Sequence, residues 1–146
     1  MCDPSVDDAA RGRRALAVVL VASGAGIVAY WSAFFSSGVV QATREPCYLV
    51  FERAFPAADG WTAVAAILAG VGLVRRRPSA VLFGIAAGSG FVFLGLMDVL
   101  YNLEHGMYAL RTVEMTTEIV INVFCLSVGP AAIVQAWRWR RVLDPR

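Results

Sequence analysis

Leu96 to Asn122 reads LMDVLYNLEHGMYALRTVEMTTEIVIN. It is the end of one apolar run, a short turn through Gly106, and the start of a second apolar run. The turn is too short for anything but antiparallel neighbours, so the two runs form a helical hairpin. Polar residues recur inside it at helical spacing. Asp98, Asn102 and His105 stand at i, i+4 and i+7; Glu114, Glu118 and Asn122 stand at i, i+4 and i+8. Each set makes one stripe down one face of its helix. The rest of the chain is so apolar that chemistry is expected here first.

Outward from the hairpin, the composition excludes a soluble domain. The chain has 146 residues, 58% hydrophobic and 16% charged, against about 25% charged for a soluble domain. The charges fall in islands between long apolar runs. A hydrocarbon core of about 30 Å needs about 20 apolar residues in helix, and four runs qualify, at about 15–35, 56–74, 79–101 and 112–137. The predicted fold is an all-α four-helix transmembrane bundle, a single domain over 15–137. A polar tail, 1–14, is expected to be disordered, and a basic tail, 138–146, follows the last span. The first run is longer than a signal-peptide core and no A-x-A site closes it, so it reads as a retained span.

Four spans place both termini on one side. That side collects Arg11, Arg13, Arg14, Arg75, Arg76, Arg77, Arg138, Arg140, Arg141 and Arg146, ten of the thirteen basic residues, all arginine. It also takes Asp3, Asp7, Asp8 and Asp144. Arg44, Arg53 and Arg111 stand on the other side with Glu45, Glu52, Asp59, Asp98, Glu104, Glu114 and Glu118, so three positive and seven negative charges leave it at −4. Basic loops stay in the cytoplasm, which predicts N-in and C-in. Arginine without lysine, among abundant Ala, Gly and Val, suits a GC-rich bacterial genome, so the expected location is a bacterial inner membrane. The arginines read as membrane anchors, and no nucleic-acid role follows.

Small residues mark expected close contacts. Ala22 and Gly26 form a small-xxx-small pair in the first span. Gly84 and Gly88 form a G-x-x-x-G pair in the third, suiting a contact inside the bundle or a homo-oligomer seam. Pro130 removes a helical N–H from the last span, where a kink is expected. Between Pro46 and Pro56 lies an apolar stretch, CYLVFERAF, expected as a membrane-surface or re-entrant piece that caps the bundle, with Glu52 and Arg53 facing water; Glu52 pointing into a site is the sharper alternative. Asp59 falls in the first turn of the second span and reads as a helix cap, as an inward acid, or as both.

Counted from the arginine side at 1.5 Å per residue, Asp98 and Glu118 lie about 30 Å away and Asp59 about 24 Å. The three acids therefore share a layer near the outer hydrocarbon edge. Carboxylates and amides facing lipid are costly, so the stripes are expected to face each other around a polar pocket open to the outside. Asp98, Glu118, Asn102, Asn122, His105, Asp59 and Glu114 are the candidate ligand-binding residues. Carboxylates with amides suit a cation or a proton. Beside Tyr101, Tyr108 and Trp61 they also suit a cationic amphiphile. No cofactor motif is readable: Cys2, Cys47 and Cys125 form no C-x-x-C, and His105, the single histidine, excludes a multi-histidine metal site from one chain.

Glu52 to Ala58, with LFGIAAGSGFVFLGLMDVLYNLEHGMY at 82–108, resembles a group of small bacterial four-span membrane proteins. The resemblance implies the fold and no activity. Small multidrug exporters place an acid in span 1, which this chain lacks. Sterol-isomerase-like bundles use acids, His and Asn in another order and spacing. Thiol-oxidising quinone enzymes need a C-x-x-C. The leading expectation is a non-enzymatic inner-membrane protein with an outward acidic pocket for a cation, proton or cationic small ligand, transporter-like or an accessory subunit. An intramembrane lipid enzyme using Asp98 or Glu118, and a structural membrane partner, are the alternatives.

Overall fold

The computed structural model describes residues 4–143. Cys2, Asp3, Asp144 and Arg146 lie outside the described residues. Five α-helices follow one another: α1 (Pro4–Ser36), α2 (Pro46–Glu52), α3 (Pro56–Val74), α4 (Ser79–Glu104) and α5 (Val113–Leu143), with a 3-10 turn at Met107–Ala109. No strand occurs among the described residues. Four segments, Ala10–Ser36, Pro46–Val74, Ser79–Glu104 and Val113–Leu143, are long and apolar enough to cross a membrane. The chain is an all-α, multi-pass membrane protein.

Large apolar side chains point away from the bundle: Val18, Leu82, Phe93, Val120 and Val123 are more than half exposed. Small ones fill its centre, with Ala65, Ala66, Ala69, Ala80, Ala87 and Ala132 all at 0% exposure. In lipid, greasy side chains gain nothing by hiding from the solvent. Helices associate instead through van der Waals contact of closely spaced backbones, which small residues permit.

The helices pack in a row: α1 on α3, α3 on α4, α4 on α5. Glycine sets the spacing at two seams. A Cβ on Gly70 would meet the Ala17 carbonyl at 2.7 Å, and one on Gly24 would meet the Ala63 carbonyl at 2.9 Å. Between α4 and α5, a Cβ on Gly88 would meet the Gly129 carbonyl at 2.6 Å, and one on Gly84 the Ala136 methyl at 2.9 Å. The Gly84/Gly88 pair is thus occupied inside the chain, the intramolecular reading of that motif. Ala22/Gly26 is a correction: Ala22 is exposed, and a Cβ on Gly26 would meet nothing within 4 Å. Gly24, two residues before Gly26, is the contact. The 100° step of a helix turns that pair to another face.

The ends differ from expectation in two places. Residues 4–14, expected as a disordered tail, extend α1, with Pro4 at its first helical position. The basic tail is likewise helical to Leu143, and α5 continues through Pro130. At the arginine-rich end the Arg13 guanidinium donates to the Leu73 carbonyl, tying α1 to the end of α3. There α3 closes as a Schellman motif: Arg77 N–H bonds the Gly72 carbonyl at 2.8 Å and Arg76 N–H the Leu73 carbonyl at 3.4 Å. This geometry forces a left-handed residue, and Arg76 takes it with φ 52°.

Candidate functional site

The site is built at the acidic end, and α2 is its roof. Pro46 opens α2, where its fixed φ fits and its missing N–H costs nothing. Tyr48 and Glu52, at i and i+4, share one face and are buried, while Val50 on the opposite face is 73% exposed. An aromatic stack holds the helix down. Phe51 lies flat on Tyr101 of α4 with centroids 3.9 Å apart, Tyr101 stacks on His105 at 4.1 Å, and Phe55 meets Phe51 edge-on at 4.8 Å. Tyr48 sinks into a cluster with Ala42, Met107 and Met115, and its hydroxyl accepts the Ala42 N–H at 3.2 Å.

Glu52 is therefore turned inward, at 6% exposure, and the expectation that it faces water is overturned. The reason is the stack: once Phe51 covers Tyr101, the Tyr48–Glu52 face points into the bundle. Among the described residues no donor meets its carboxylate. It lies within electrostatic reach of Asp98, Glu118 and Asp59.

Two of the other carboxyl groups, those of Asp59 and Glu118, are held from neighbouring helices. Trp31 of α1 donates its indole N–H to Asp59 Oδ2 at 2.6 Å. Asp59 also sits in the first turn of α3, where the helix dipole favours an acid, so it is both an inward acid and a first-turn acid. Asn102 of α4 donates to Glu118 Oε1 of α5 at 2.8 Å, with Asn102 fully buried. The two stripes do face each other.

Glu52, Asp59, Asp98 and Glu118 line one cavity of about 490 Å³. Its remaining walls are apolar or aromatic, including Tyr30, Trp31, Phe55, Phe91 and Phe124, with Ser23 as a small polar exception. Among the described residues no arginine, lysine or histidine lines it. Four candidates are not part of this wall. Asn102 stands behind it, donating to Glu118. His105 is exposed, spent on the Tyr101 ring and carbonyl. Glu114 is half-buried one turn above Glu118. Asn122 is 3% exposed one turn below it, and its amide has no hydrogen-bond partner among the described residues. Among the described residues no three His, Cys, Asp or Glu side chains come close enough to hold one metal ion. The carboxylates are spread around a chamber, an arrangement suited to a charge carried on a larger body.

Comparison of the chain with protein-family models, with curated proteins and with solved structures found no match. The reading of this site rests on its geometry.

Proposed function

We propose that this protein binds a positively charged small molecule in the chamber beneath α2, as a transporter-like protein or as the ligand-sensing subunit of a membrane assembly. The observation that carries this is the Glu52 carboxylate: buried, without a donor, and directed into a cavity that already holds three other acids and no base. A buried charge without a partner is costly, and a cation in the chamber supplies the partner. Aromatic faces at Tyr30, Trp31 and Phe55 add cation–π attraction. The wide spacing of the acids favours an organic cation over a dehydrated metal ion, which needs several oxygens at 2.0–2.6 Å. In this proposal the arginine-rich end faces the cytoplasm of a bacterium and the acidic chamber faces outward.

The test is the melting temperature of the purified protein in nonionic detergent. Wild type, Glu52→Gln and Asp98→Asn are compared with tetraethylammonium and with sodium, potassium, magnesium and calcium chlorides. A ligand at a hundredfold excess over its Kd stabilises by about 2.7 kcal/mol, several degrees in Tm. The expected result is such a rise for the organic cation in wild type, reduced in both variants. A flat response to every cation contradicts the proposal.

A further inference from the structure

The chamber has an unclosed side. Among the helix pairs α1 and α5 share no extended contact; each packs on its neighbour in the row instead. They converge at the arginine-rich end, where a Cβ on Gly12 would meet the Trp139 ring at 4.0 Å, and both wall the cavity at the other end. Between them Gly26, Ala29 and Phe124 line the cavity yet remain exposed on the outside of the bundle. The cleft lies at hydrocarbon depth. Gly26 is twelve residues beyond Arg14, and Phe124 is fourteen before Arg138, so they sit about 18 and 21 Å from the inner boundary at 1.5 Å per residue. The acids sit above this level, under α2. From the roof downward the wall changes from carboxylates to mainly apolar groups, with Ser23 the small polar exception, and at that lower level it opens toward lipid.

We infer that the ligand is an amphiphile with a cationic head: the head lies among Glu52, Asp59, Asp98 and Glu118, and the chain leaves through the cleft between α1 and α5 into the bilayer. This deepens the proposal above and rests on it. Charge complementarity selects the head, and the continuity of the cleft with lipid selects the chain. A chain in the cleft gains little over a chain in lipid, since both surroundings are apolar. Affinity therefore comes from the head, and the cleft is what lets the head reach the acids while the chain stays out of water.

Gly26 gives a clean test, because its missing side chain faces open space and a large residue there fills the cleft without striking the bundle. Binding of dodecyltrimethylammonium, below its micellar concentration, and of tetramethylammonium is measured in lipid nanodiscs. The proteins are wild type, Gly26→Trp, the milder Gly26→Leu, Val28→Trp and Glu52→Gln. Val28 is 58% exposed on α1 and lines no part of the cavity, so its variant controls for bulk on the same helix. The inference expects Gly26→Trp to weaken the long-chain cation at least tenfold, Gly26→Leu to weaken it less, and Val28→Trp to leave it unchanged. Tetramethylammonium should stay within threefold in all three, and Glu52→Gln should weaken both ligands. Wild-type affinity for dodecyltrimethylammonium in Gly26→Trp, with loss in Glu52→Gln, overturns the cleft and leaves the acidic chamber standing. Equal binding by Glu52→Gln and wild type overturns both.

Discussion

Glu52 and Trp31 are the residues that turn scattered acids into a chamber, and the sequence favoured neither as a site residue. Glu52 stands beside Arg53 in a connecting segment, where a charge ordinarily faces water. Its burial depends on Phe51 finding the Tyr101 ring fifty residues further on, a contact no local pattern encodes. The signal that existed was the i, i+4 pairing of Tyr48 with Glu52 between two prolines, which marks a short helix with one polar group on its aromatic face. Trp31 reads as an interfacial belt residue, since indole rings collect there, and its N–H proves to be the donor for Asp59. By contrast, Asn102 and Glu118 were legible: helical spacing on both sides of a short turn puts the two stripes opposite each other, and the 2.8 Å bond joins them. Trp31→Phe keeps the ring and removes the donor, leaving the half-buried Asp59 carboxyl short of a partner. It is expected to destabilise the protein by about 1–3 kcal/mol, read as a lower midpoint in denaturant titration. In an Asp59→Leu background the same substitution should cost far less, because the group it served is gone. Equal costs in both backgrounds would show that the bond contributes nothing.

Among the elements, the long helices were readable because the thickness of hydrocarbon imposes a run length on any spanning helix. The α3 helix runs Pro56–Val74, the stretch between the proline and the arginine trio. Contacts between helices were less readable. With thirteen glycines in the chain, small-residue pairs occur on several faces of each helix, and only packing chooses among them; Gly24 and Gly88 are chosen, Gly26 is not. The end of α3 carries a conflict of its own. Its Schellman geometry needs a left-handed residue, for which glycine costs least, yet Arg76 occupies the position at φ 52°. An arginine there supplies interfacial charge at a conformational cost of about 1 kcal/mol or more. Arg76→Gly should therefore stabilise the protein by about 1 kcal/mol, read as a raised denaturation midpoint, and Arg76→Ala, which keeps the Cβ, should not. A midpoint raised equally by both would assign the gain to lost charge repulsion within Arg75–Arg77 and not to the backbone.

At the scale of the whole molecule, the row arrangement of α1, α3, α4 and α5 explains why the site is where it is. Four helices in a closed square fill their own centre. Here, among the described residues, the first and last helices share no extended contact, and the acidic end is left as a chamber that α2 covers. Charge follows the same axis, with arginines at the convergent end and carboxylates at the open one. That polarity was legible from the loops, because charge clusters cannot lie within hydrocarbon; the chamber was not, since it depends on which helices fail to touch. The central claim is that the chamber selects positive charge on an apolar body. Equilibrium binding of tetraphenylphosphonium and tetraphenylborate, ions of matching shape and opposite charge, tests it most directly, with the detergent-solubilised wild type beside a Glu52→Gln, Asp98→Asn double variant. The account predicts that wild type binds the phosphonium at least tenfold more tightly than the borate, and that the double variant loses this preference. Equal binding of the two ions by wild type, or an undiminished preference in the double variant, would contradict it.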